Sequence, residues 1–140
     1  MNVHVHIESG HVMNTTLWVV QVILAIAFAG SGMMKATLSA AAIKQKGDGR
    51  MDWVDDVSAG QLRAIGIIEV IGGIGLVLPA AVGILPILTP LAAVGLALTM
   101  VGAAVLHLKR SDGAMALAPN VMLGGLAVFV AVQRFGDYAI

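Results

Sequence analysis

Between Ala64 and Leu106 the chain reads AIGIIEVIGGIGLVLPAAVGILPILTPLAAVGLALTMVGAAVL, and only Glu69, Thr89 and Thr99 interrupt its apolar and small residues. A helix rises about 1.5 Å per residue and a hydrocarbon core is about 30 Å thick, so this run is far too long for one crossing. It must fold back on itself. Pro79, Pro86 and Pro90 cluster near its middle, where the fixed φ and missing N–H of proline suit a turn between two helices. The run is therefore a helical hairpin with spans at about 61–79 and 87–108.

Two further spans follow from the same criteria. LWVVQVILAIAFAGSGMMKATL gives a first at about 17–38, and a fourth at about 118–135 is opened by Pro119 and closed by Gln133 and Arg134. Residues 39–60, SAAAIKQKGDGRMDWVDDVSAG, read as a polar cytoplasmic loop with a turn at Gly47, Asp48 and Gly49 and with Trp53 at the interface. The expectation is an all-α protein, a four-helix transmembrane bundle forming a single membrane domain over residues 1–140. A hydrophobic content of 59% against 11% charged residues excludes an ordinary soluble domain. The leader MNVHVHIESGHVMNTT holds no Lys or Arg, unlike the basic start of a secretory signal, so the first span is expected to be retained.

Charge sets orientation and removes partner classes. Four spans place both termini and the proline turn on one side, and the two polar segments on the other. Lys44, Lys46, Arg50, Lys109 and Arg110 lie in those segments with Arg63 at a border, whereas the opposite side has only Arg134. The positive-inside rule then makes the loops cytoplasmic and both termini external. With 8 Lys and Arg balancing 8 Asp and Glu there is no basic excess, and no nucleic-acid partner is expected. The absence of cysteine removes disulfides, thiolate metal sites and iron–sulfur clusters. Haem is disfavoured because only one histidine falls in a span. His4, His6 and His11 form a histidine-bearing leader, but a terminal segment is a poorly preorganised ligand set, and no physiological metal site is expected there.

The chemistry must lie with the polar residues inside the spans. An ionisable side chain at the membrane centre costs about 2.5–3.5 kcal/mol on insertion scales, so it faces the bundle interior and takes a partner. Lys35 lies near the cytoplasmic end of the first span, Glu69 two turns inside the second and His107 in the last turn of the third. All three reach a similar depth, with Lys35 long enough to meet Glu69 and His107 near both. Each sits on a stripe of small residues: Ser31 and Gly32, then Gly66, Gly72 and Gly73, then Ala103 and Ala104. A catalytic group of Glu69, His107 and Lys35 would carry protons, since a buried carboxylate has a raised pKa unless an adjacent cation restores it. Gln21 is level with Gln133 and Arg134 at the outer side, and Met100, Trp53, Arg63, Gln21 and Arg134 are the candidate ligand-binding residues. The plainer reading makes Lys35 and Glu69 a staple between helices and His107 a helix cap.

GMMK (32–35), RAIGIIEVIGGIGLVLP (63–79), TPLAAVGLALTMVGAAVLHLKR (89–110) and VAVQRF (130–135) resemble the DoxX-like branch of the DoxX family of small bacterial inner-membrane proteins. The resemblance covers Leu17 to Phe135, and R-x-x-G-x-x-E-x-x-G with its following proline is its most specific part. It implies a four-helix membrane bundle in the bacterial inner membrane, with Lys35, Glu69, His107 and Arg134 on recurring polar positions and Trp53 on a recurring aromatic one. It also implies association with membrane oxidoreductase systems. The expected function is to bind a quinone or other small lipophilic molecule, as an accessory or component of such a system. The partners would be the lipid bilayer, that molecule, and a second copy or an oxidoreductase. Two alternatives stand beside it: a non-catalytic scaffold or assembly protein, and a cofactor-free isomerase, hydratase or cyclase using Glu69 and His107 as acid and base.

Overall fold

The computed structural model describes residues 3–140, with side chains from residue 8 onward. The described residues form helices and no strands: α1 (Val3–Thr37), α2 (Ala40–Gly47), a 3-10 helix (Asp52–Asp56), α3 (Ala59–Val82), α4 (Leu88–Arg110) and α5 (Ala114–Phe135). Four of them, α1, α3, α4 and α5, are long and apolar enough to cross a membrane. The side chains of His4 and His6 lie outside the described set, and His11 is exposed.

Small residues decide how the long helices meet. On α1, Ala25, Ala29 and Gly32 face Gly66 and Gly73 of α3. A Cβ on Gly66 would stand 2.5 Å from the Gly32 carbonyl oxygen and 2.5 Å from the Ala36 nitrogen, so the two backbones touch and only glycine fits. Such close approach gains dispersion contacts, which drive helix association where lipid offers no hydrophobic advantage. The other side of α3 turns to α4, where Gly72 lies against Leu96 and Gly75 against Ala92. Helix α4 then packs on α5, and the ring closes through a sparse α1–α5 seam.

The core inside this ring contains Leu17, Leu24 and Phe28 of α1, Leu76 of α3, Leu96 and Met100 of α4, and Ala127 and Val130 of α5. Large apolar side chains also cover the outside, including Ile26, Ile71, Leu98, Val101 and Val132. Helices apolar on every side belong in lipid.

Three sequence expectations differ from the structure. Of the prolines expected at the hairpin turn, Pro79 lies inside α3 and Pro90 in the first turn of α4, so only Pro86 falls between the helices. Residues 39–60, read as a loop, are folded into α2 and the 3-10 helix. Ser39 caps α2 by accepting from the Ala42 N–H at 3.3 Å, and a capping box between Ser58 and Gln61 starts α3. Ile43, Val54 and Leu62 bury together and hold the folded segment against the bundle end. Pro119, expected to open the fourth helix, lies inside α5, which starts at Ala114. Pro119 is the sixth residue of α5, so its missing N–H costs the helix one bond, to the Met115 carbonyl. The α3–α4 turn is reversed by left-handed Gly83 (φ 68°) and Leu85 (φ 48°).

Candidate functional site

Lys35 lies in the last turn of α1 and Glu69 about three turns into α3, on the seam that Gly32 and Gly66 bring into contact. The Lys35 Nζ donates to Glu69 Oε1 and Oε2, both at 2.7 Å, and to Ser31 Oγ at 2.7 Å. Its three donors are matched. Glu69 is 1% exposed and Lys35 9%, so the pair is enclosed, and each charge compensates the other's desolvation. The i, i+4 spacing of Ser31 and Lys35 is what brings the hydroxyl to the ammonium.

The folded 39–60 segment supplies the third member. Trp53, on the 3-10 helix, places its ring centroid 5.8 Å from Lys35 Nζ. The same ring meets His107 edge to face, with centroids 6.4 Å apart and planes at 74°. Trp53 thus stands between Lys35 and His107. His107, in the last turn of α4, hydrogen-bonds through Nδ1 to Asp112 Oδ2 at 2.8 Å. A carboxylate accepts only, so Nδ1 carries the proton in the neutral ring and Nε2 is left as an acceptor. No described protein group bonds that Nε2.

Ion pairs fasten this end of the bundle. Arg110 Nε donates to Asp112 Oδ2 at 2.9 Å, and its Nη1 pairs with Asp56 of the 3-10 helix. Lys44 of α2 pairs with Asp55 and reaches Asp52 at 3.7 Å. The His107 hydrogen bond, reinforced by Arg110 and opposed by partial desolvation, holds the Asp112 carboxyl below its ordinary value. Asp55 holds the Lys44 ammonium above its ordinary value.

A second polar group lies at the opposite end. Arg134, near the end of α5, is 2% exposed, and its Nε donates to Gln21 Oε1 at 2.7 Å. Gln21 in turn donates to the Leu76 carbonyl at 2.6 Å. Arg134 Nη1 donates to Asn14 Oδ1 at 2.7 Å and to the Tyr138 carbonyl at 3.0 Å, and the guanidinium lies 5.4 Å from the Trp18 ring centroid.

The structure brings Lys35, Glu69, Trp53 and His107 together at one end, and Gln21 and Arg134 at the other. Met100 belongs to the apolar core, and Arg63 is exposed on α3 without a described ion pair. Four participants were missed in the sequence: Asp112, Asn14, Trp18 and the Tyr138 carbonyl. Asp112 follows the end of α4 in the turn SDG, and a turn aspartate beside a helix-terminal histidine was a readable signal. Among the described residues no group of three His, Cys, Asp or Glu is arranged to hold a metal ion.

Four apolar helices with ionisable residues paired inside them define a multi-pass membrane protein. A sequence profile of the DoxX-like family matches residues 19–130, and the chain belongs to that family. No curated protein and no solved structure matches it.

Proposed function

We propose that this DoxX-like protein receives the polar head of a quinone or similar lipophilic molecule at the Trp53 end, as an accessory or component of a membrane oxidoreductase system. One observation carries the reading: the open Nε2 of His107 lies beside an aromatic ring that also contacts the Lys35–Glu69 pair. Trp53 offers a stacking surface and His107 Nε2 a hydrogen-bond acceptor, a combination suited to a ring bearing hydroxyl groups. Bound there, a quinone would supply the electron chemistry that a cysteine-free chain lacks. Lys35 and Glu69 would hold the local charge steady, because their hydrogen bonds already satisfy each other. The basic residues Lys44, Lys46, Arg50, Lys109 and Arg110 gather at this end, which supports a cytoplasmic position for it and external termini in a bacterial inner membrane.

The test is mass spectrometry of organic extracts from gently purified wild type, His107→Gln and Trp53→Ala. A stoichiometric lipophile in the wild type, lost from both folded variants, is the expected result. Equal retention in all three would overturn the reading.

The scaffold reading is favoured by a different observation. Lys35 spans the same α1–α3 seam that Gly32 and Gly66 close, and its three donors are satisfied by protein. On this reading Glu69→Gln lowers the melting temperature and changes assembly with itself or an oxidoreductase, while no ligand is lost. No observation favours an acid–base pair of Glu69 and His107: Lys35 occupies both Glu69 oxygens, and His107 bonds Asp112.

A further inference from the structure

Arg134 is a buried cation whose described partners are all neutral: the amides of Gln21 and Asn14, the Tyr138 carbonyl and the face of Trp18. No described carboxylate forms an ion pair with it, and its Nη2 has no hydrogen-bond partner. An enclosed guanidinium with an unused nitrogen is costly unless an anion completes it. Thr89 Oγ1, at the start of α4 on the same end of the bundle, is the other unpartnered buried side-chain atom among the described residues.

The surroundings indicate what kind of anion fits. Arg134 forms part of the wall of a cavity of about 260 Å³, whose other walls include Leu85, Pro86 and Pro90 of the α3–α4 turn together with Phe135 and Ile140. A second cavity, a groove of about 630 Å³ between α4 and α5, is lined by apolar residues including Leu98, Val101 and Val128. Phe135 lines both. A charged pocket therefore adjoins an apolar channel on the outer surface of two membrane-crossing helices. Free phosphate would use the first and leave the second empty, whereas a lipid uses both.

We propose that this is a binding site for an anionic phospholipid of the bilayer, with its phosphate on Arg134 and one acyl chain along the α4–α5 groove. Arginine suits the role because a guanidinium hydrogen bond to phosphate is charge-assisted. Nε and Nη1 are held by protein, so Nη2 is the donor left for the phosphate. The site is independent of the Trp53 end, and either can fail without the other.

Trp18, stacked near Arg134, gives the readout. The full chain in neutral detergent, carrying Trp53→Phe so that Trp18 alone reports, is titrated with phosphatidylglycerol, phosphatidylcholine and inorganic phosphate. The expected result is a saturable Trp18 response to phosphatidylglycerol at about tenfold lower concentration than to phosphatidylcholine, the change expected of one charge-assisted hydrogen bond. The preference should vanish in Arg134→Gln and survive in part in Arg134→Lys. Because Arg134→Gln removes a tether between α1 and α5, the lipid that co-purifies with Val128→Trp, measured by mass spectrometry, provides the second arm. That substitution fills the groove, leaves Arg134 intact and should reduce retained phosphatidylglycerol. Equal response to both lipids overturns the proposal, as does unchanged retention in Val128→Trp. An equal response to inorganic phosphate overturns it too, by reducing the site to an ion pocket.

Discussion

Arg134 Nε, near the end of α5, donates to Gln21 Oε1 on α1 at 2.7 Å across the seam where the bundle is least packed. Gln21 passes the connection to the Leu76 carbonyl of α3 at 2.6 Å. Two side chains thereby tie three helices at one end, as Lys35 and Glu69 tie two at the other.

Replacing Gln21 with leucine keeps the side-chain volume but leaves the Arg134 Nε enclosed without its acceptor. The expected cost is about 1–3 kcal/mol, the penalty of an unsatisfied buried donor. Thermal unfolding in detergent measures it. A variant as stable as the wild type would mean that the seam does not depend on this bond.

Lys35→Met should destabilise by about 3–5 kcal/mol, because it leaves a carboxylate buried without its cation. The double variant Lys35→Met, Glu69→Leu should regain most of that loss, since apolar residues replace an enclosed pair at little cost. A double-mutant cycle from equilibrium unfolding separates the pair from its surroundings. If the double variant is as unstable as the single, the pair is coupled to further groups.

Gly66→Ala places a methyl against the Gly32 carbonyl and the Ala36 nitrogen, and the expected loss is about 1–3 kcal/mol, as for overpacking. Gly125→Ala on α5 meets nothing within 4 Å and should be neutral or stabilising by up to about 1 kcal/mol, from helix propensity alone. Melting temperatures of the two variants, measured side by side, distinguish a contact requirement from a general tolerance of alanine.

Asp112 and Lys44 should loosen the Trp53 end at the two extremes of pH. Asp112 is held below the ordinary aspartate value of 3.8, so between the two values the unfolded state binds more protons and stability rises with pH. Its contribution is fully present above 3.8 and is lost as pH falls through the depressed folded value. Lys44 is held above 10.5, and its contribution is present below that value and lost as pH rises through the raised one. Trp53 fluorescence in a Trp18→Phe background should therefore report an acid limb and an alkaline limb. Asp112→Asn should remove the acid limb and Lys44→Met the alkaline one.

The spans were readable because hydropathy and helix length are properties of contiguous residues. Glu69 could be placed on an interior face from its glycine neighbours, and the match in depth of Lys35 and Glu69 followed from counting residues along two helices. The fold of residues 39–60 was less visible, since its anchors Ile43, Val54 and Leu62 are single apolar positions scattered through a polar segment. They bury only because the end of the bundle is there to receive them.

The sequence by itself determined that the chain crosses a membrane in four apolar helices and that its few ionisable residues must find partners inside them. Only the tertiary structure decided which partners. The contact of Gly32 with Gly66 sets the distance and rotation of α1 against α3, and so delivers Lys35 to Glu69. The turn after α4 delivers Asp112 to His107, and Arg134 receives three amide and carbonyl oxygens and no described carboxylate. Hydropathy sums over a window of chain, whereas partner choice depends on the relative rotation and register of helices far apart in it.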